Sequence, residues 1–192
     1  MARWQPGARE RLVIAAVDLF NEQGYDVTTV AQIAERAGVT NSTFFRHFPD
    51  KREILVAGQE TLSNLLADGI AEAPTGATPL EAVANGLERA SSEMGAGNRE
   101  LGPRLKAAVA ASTELQERDA LKSVGMAAAM NSALLARGVA DPVAHLAAEM
   151  GVVAFKRGYA EWSEGSGKPT DDLAPFALAA LRELHAASAA LG

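Results

Sequence analysis

The chain has 192 residues, 48% of them hydrophobic, with no cysteine and a formal net charge of −6. This length allows one domain or two small ones with a sizeable core, and the absence of cysteine excludes both a disulfide framework and a thiolate zinc site. The acidic total argues against a general polyanion binder, but it is unevenly placed: residues up to Gly58 hold seven Lys/Arg and seven Asp/Glu, against eleven and seventeen in the rest. Alanine is abundant and β-branched runs are few, which favours helices. His47, His145 and His185 are too scattered to pair on one helix face, so no metal or cofactor is expected. The apolar run Leu12–Phe20 is short and broken by Asp18, neither a signal peptide nor a membrane span. A cytoplasmic protein with no membrane partner is the expectation.

In chain order, Met1–Gly7 reads as a loose arm in which Arg3 can reach a phosphate and Trp4 can pack on the first helix. Leu12, Ala15, Ala16, Leu19 and Phe20 recur at helical spacing from Ala8 to Gln23, and Gly24 closes that helix. Thr29 is a cap for a second helix with the apolar stripe Val30, Ile33, Ala34 and Ala37. Gly38 supplies a positive-φ stop, Val39 packs in the turn, and Thr40 caps a third helix through Phe48, ended by Pro49. Helix, glycine-containing turn and helix make a helix-turn-helix pattern, whose second helix enters a DNA major groove.

Asp50 through Glu53 has the spacing of a capping box and opens a helix predicted to continue to Ile70, about 30 Å at about 1.5 Å per residue. Thr78-Pro79 starts another helix, with Val83, Leu87 and Met94, ending at Gly95-Ala96-Gly97. Further helices are predicted at Leu105–Ala111, at Leu115–Arg137, from Asp141-Pro142 to the Gly165-Ser166-Gly167 linker, and from Thr170, with Asp171 and Asp172 as dipole partners. The expectation is an all-α chain of about nine helices: a helix-turn-helix domain at 1–49, then a helical effector-binding and dimerisation domain at 50–192.

Phe20, Gly24, Tyr25, Thr28-Thr29, Ile33-Ala34, Ala37-Gly38-Val39, the run Phe44-Phe45-Arg46-His47-Phe48, Asp50-Lys51 and Leu55 together carry a likeness. Over its first third the chain resembles the DNA-binding domain of the TetR/AcrR family of bacterial repressors. Residue chemistry makes Thr40, Asn41, Ser42 and Arg46 candidates for base readout. The resemblance implies that Thr43, His47 and Lys51 hold the DNA backbone, together with Thr28 or Thr29. Phe45 stands where the family usually has a tyrosine whose hydroxyl meets a phosphate, leaving an apolar touch to a thymine methyl or a sugar.

The resemblance also implies an effector cavity, with Met94, Met126, Met130, Phe155, Tyr159 and Trp162 as candidate lining for a small apolar molecule. It implies a homodimer formed by the last two helices, for which Ala147, Ala148, Gly151, Ala154, Leu173, Phe176, Leu181 and Leu184 are candidates. No nucleophile, base and orienter set suggests an enzyme. The expected function is a ligand-responsive repressor that binds a palindromic double-stranded operator as a homodimer. The alternatives are a regulator of this type without an effector, and a helical interaction protein with a vestigial DNA reader.

Overall fold

The computed structural model describes residues 7–165 and 172–191, and among them nine α-helices, one short 3-10 turn and no strand. The expectations for Arg3, Trp4, Ser166-Gly167, Thr170 and Asp171 lie outside the described residues. Two compact units are formed: residues up to Ala57 with Arg104–Leu121, and Gly58–Pro103 with the chain from Lys122 onward.

In the first unit, α1 (Ala8–Gln23) buries Leu12, Ala15, Ala16, Leu19 and Phe20. It ends at Gly24, where φ is 93° and the N–H donates to the Phe20 carbonyl. The Thr29 hydroxyl accepts from the Gln32 N–H at the start of α2 (Val30–Arg36), and the Gln32 amide oxygen accepts from the Thr29 N–H at 2.8 Å. Gly38 adopts φ 66°, and Thr40 caps α3 (Asn41–His47) through the Thr43 N–H. Leu12, Ile33, Phe44 and Ile54 form the core with Leu115, all at 0–1% exposure.

The helix expected from Asp50 to Ile70 is divided. The Asp50 carboxylate accepts from the Arg52 and Glu53 N–H groups at 2.8 and 3.2 Å, as a cap should, but the element it caps is a 3-10 turn, Arg52–Ile54. Gly58 then takes φ 80°, and α4 runs from Gln59 to Glu72. Ile54 and Leu55 are buried in the first unit's core, whereas Leu62, Leu66 and Ile70 belong to the core of the second. The boundary anticipated after Pro49 therefore falls inside a compact unit that extends to Ala57.

The second unit contains α4, α5 (Pro79–Ser91), α8 (Asp141–Glu164), α9 (Ala174–Ala189) and parts of α6 (Ala96–Ala110) and α7 (Thr113–Ala136). Helix α6 starts at Ala96 and runs through Gly102 and Pro103, earlier than the predicted Leu105. A Cβ on Gly102 would lie 2.6 Å from the Ser163 side chain, so tight packing explains a glycine that reads as a helix breaker. Helices α4 and α5 pack at Gly69 and Gly86: a Cβ on Gly69 would sit 2.7 Å from the Gly86 Cα. Helices α8 and α9 close at Gly158, where a Cβ would meet the Ala177 Cα and N at 2.5 Å. The Arg137 guanidinium donates to the carbonyls of Ala71, Ala73 and Pro74 at 2.9–3.1 Å, covering the exposed end of α4. Among the described residues no helix is long and apolar enough to cross a membrane.

Candidate nucleic-acid interface

Helix α3 has two unlike faces. Phe44 is fully buried and Phe48, its C-cap, is 2% exposed, so the inner face anchors the helix in the first unit's core. Asn41, Ser42, Phe45 and Arg46 face outward. The Phe45 ring, 56% exposed, meets Phe44 edge to face at 5.4 Å and 81°. Thr40 is exposed too, but its hydroxyl accepts from the Thr43 N–H at 3.2 Å and lies 3.1 Å from the Thr43 hydroxyl, so it is spent on the helix end. Thr43 and His47 are half-buried beside it.

Two residues expected at the DNA backbone are used inside the protein instead. Thr28 is 2% exposed; its hydroxyl donates to the Gly24 carbonyl at 2.7 Å and accepts from the Gln23 side chain at 3.1 Å. The Lys51 ammonium donates to the carbonyls of Tyr25, Asp26 and Thr28 at 2.7, 3.2 and 3.0 Å and sits 4.1 Å from the centre of the Tyr25 ring. An ammonium has three N–H donors, and all three are used. Thr29 is exposed, its hydroxyl shared between the Gln32 N–H and the Gln32 side chain.

Several of the unit's other cations are similarly engaged. Arg36 pairs with Glu22 at 2.7 Å, which holds that carboxyl below the usual range. Arg52 pairs with Asp50 at 2.7 Å and lies 3.5 Å from Glu114. Arg11 donates to the Ala37 carbonyl at 3.0 Å, and Arg9 lies over the Phe48 ring. Among the described residues Arg46 has no hydrogen-bond, ion-pair or ring partner, so its guanidinium is available to a ligand.

A second set of residues in this unit left no trace in the sequence pattern. The segment Arg104–Leu121, formed by the end of α6 and the start of α7, inserts Leu115 (0% exposed) and Ala108 (2%) into the core beneath α1. Ion pairs surround it: Arg104 with Asp18 at 2.7 Å and Arg118 with Glu53 at 3.2 Å. Burial, and then the neighbouring Glu114 carboxylate that accepts its hydroxyl, raise the Tyr25 pKa above the ordinary tyrosine value.

In the second unit, four of the six candidate cavity residues are packed: Met126, Met130, Phe155 and Trp162 are 0–6% exposed. Phe155 stacks on Tyr159, whose hydroxyl donates to the Asn98 carbonyl at 2.6 Å and whose pKa burial pushes up to about 12. An open hollow of about 610 Å³ is lined by Glu88, Ser91, Met94, Asp172, Pro175 and Leu178 among others; of the six candidates it includes Met94. The candidate dimer residues Ala147, Ala148, Gly151, Ala154, Leu173 and Leu181 are buried within the single chain, and Phe176 and Leu184 are half-buried. Gly151 faces Met130 and Val83. The small residues of α8 therefore serve packing inside the protomer, and its outward apolar residues are Val143, Leu146 and Val153, at 42–59% exposure, with Met150 partly exposed between them.

Residues 12–57, which span α1 to α3 and the 3-10 turn, match the family of bacterial regulatory proteins named tetR. Over this segment the chain is similar to the tetR family. TcmR of Streptomyces glaucescens, an HTH-type transcriptional regulator, is 39% identical over 75 residues, covering 39% of this chain and 33% of TcmR. The chain thus matches about a third of the length of such curated relatives. The fold likeness is longer. A TetR-family regulator from Syntrophomonas wolfei aligns over 92% of this chain and 94% of its own, with TM-score 0.63 and 18% identity. FadR from Bacillus subtilis, solved in complex with stearoyl-CoA, aligns over 90% and 95% with TM-score 0.56 and 20% identity. Both are likenesses of fold, and they run over about nine-tenths of the chain.

Proposed function

We propose that this protein is a transcription regulator which binds a palindromic DNA operator as a homodimer, reading bases with α3. The observation that carries this reading is the outward face of α3, where Asn41, Ser42, Phe45 and an unpaired Arg46 stand together on a helix anchored by Phe44 and Phe48. Asn suits adenine and Arg suits guanine in the major groove. Thr29, Thr43 and His47 lie beside this face and are the proposed phosphate contacts, with Thr40 positioning the helix. The pairing partner is a second copy, held through Val143, Leu146, Met150 and Val153, which recur at 3-4-3 spacing on the outside of α8. A two-fold dimer presents two α3 helices to half-sites about 34 Å apart. Catalysis plays no part in this reading.

The test is an anisotropy titration of the full chain against a duplex selected from its own genome and against random DNA. Preference for the selected duplex of at least about 1,000-fold is the expected outcome, and equal affinities defeat the proposal. Arg46→Ala is expected to weaken the selected complex; no change in affinity or salt slope would favour a vestigial reader.

Repression is relieved, in this reading, by a small apolar effector in the second unit, where the Ser63 and Asn131 side-chain oxygens are buried without a hydrogen-bond partner. An effector carrying a donor would satisfy them. The dense packing of Met126, Met130, Phe155 and Trp162 favours the alternative, a regulator that responds to no small molecule. Thermal shift against a panel of small apolar compounds, with amphipathic acyl-CoAs beside them, separates the two: stabilisation that also weakens operator binding supports the effector, because the coupling is reciprocal.

A further inference from the structure

Phe45 is a large apolar side chain left 56% exposed in the middle of a polar helix face. Burial in its own core is not open to it, because the inner positions are taken by Phe44 and Phe48. Its ring is nonetheless set in one orientation by the edge-to-face contact with Phe44. Asn41 and Ser42 lie one turn before it and Arg46 beside it, so any surface that these polar groups meet must also accommodate an aromatic ring. The ring has no donor and no acceptor, so it can neither hydrogen-bond to a base nor hold a phosphate. Among the major-groove edges of the four bases, one group is apolar: the C5 methyl of thymine.

We propose that Phe45 is a specificity-determining residue which reads a thymine methyl in each operator half-site. The inference rests on the DNA-binding role of α3 given above. Burying a methyl-sized group against an apolar surface is a factor of about four in affinity, hence roughly fifteen-fold for the two half-sites of a dimer. Cytosine and uracil lack the methyl and forfeit this term, while adenine and guanine present polar atoms to the ring.

The experiment uses the chain of 192 residues in whatever assembly it forms in solution and a duplex that it selects from a random library. Each thymine pair related by the operator's symmetry is replaced in turn by deoxyuridine, which deletes the methyl and leaves the base pairing intact. One pair is expected to cost the wild type roughly ten- to twenty-fold in Kd, and that penalty is expected to vanish in Phe45→Ala. Phe45→Leu, which keeps an apolar surface, is expected to retain part of it. Circular dichroism melts of each variant check that the fold is intact, as an exposed side chain should allow. A selected operator on which every uracil replacement is silent, or a penalty that persists undiminished in Phe45→Ala, overturns the assignment while leaving the regulator reading in place. If the library yields no sequence preferred over random DNA, both fall together.

Discussion

Lys51 offers a direct way to separate a structural from a DNA-contacting cation. Lys51→Met keeps most of the stem and deletes the ammonium that joins the carbonyls of Tyr25, Asp26 and Thr28 and lies over the Tyr25 ring. Hydrogen bonds to a charged group contribute about 1.5–3 kcal/mol each, and an exposed cation–π contact about 0.5–1. Lys51 is only half-buried, so water can replace part of what is lost, and the net cost is placed at about 2–4 kcal/mol. For a chain of this length that lowers Tm by roughly 4–16 °C at fixed protein concentration. The decisive assay is operator affinity across salt concentrations. A lysine that neutralises a phosphate adds about 0.9 to the slope of log K against log salt, or about 1.8 for a dimer. The structure predicts an unchanged slope, with affinity reduced only as far as the reader is destabilised. An unaltered melting curve with a slope lower by about 1.8 would refute the reasoning.

Three other outcomes are expected. Gly158→Ala should destabilise by about 3 kcal/mol or more, since its Cβ would meet Ala177 backbone atoms, whereas Gly151→Ala should cost less, about 1–2 kcal/mol, because the Met130 side-chain end can move although the Val83 methyl must also give. Chemical denaturation compares the two, and a Gly151→Ala effect confined to dimer dissociation would return that residue to the interface. Leu115→Ala should cost about 2–5 kcal/mol by leaving a cavity and should speed hydrogen exchange of α1 amides; unaltered α1 exchange would detach that residue from the reader. Tyr159 is raised from 10.0 to about 12 by burial. The folded state favours the neutral phenol, so this contribution is complete below pH 10 and is lost as pH rises towards 12. In Tyr159→Phe the decline of stability across that window should shrink, and an identical decline in both proteins would contradict it.

What was legible in the sequence was local. Thr29, Gly38 and Thr40 act on backbone groups a few residues away, so their types and spacing place α2, the turn and α3 without reference to the rest of the chain. The break at Gly58 was hidden because helical periodicity continues across it: Ile54 and Leu55 are in phase with Leu62 and Leu66 although they serve different cores. The family resemblance implies a phosphate role for Lys51 and for Thr28 or Thr29, but a sequence does not show the carbonyls that Lys51 and Thr28 satisfy. The small residues of α8 signal close helix approach without saying to which helix, and here the partners are α9 at Gly158 and α5 and α7 at Gly151, all of the same chain. The Arg104–Asp18 pair, separated by 86 positions, left no sequence signal.

Leu115 closes the first unit's core from far along the chain. During synthesis, α1 to α3 are made first, and the residue that plugs their core follows Ala57 by 58 positions. At about 5–20 residues per second the interval is roughly 3–12 s, during which the apolar pocket beneath α1 is open and available to chaperones or to other chains. The stretch 12–57, which carries the family likeness, is therefore shorter than the compact unit, which also takes in Arg104–Leu121. The first unit is complete only when the segment Arg104–Leu121 has emerged and docked.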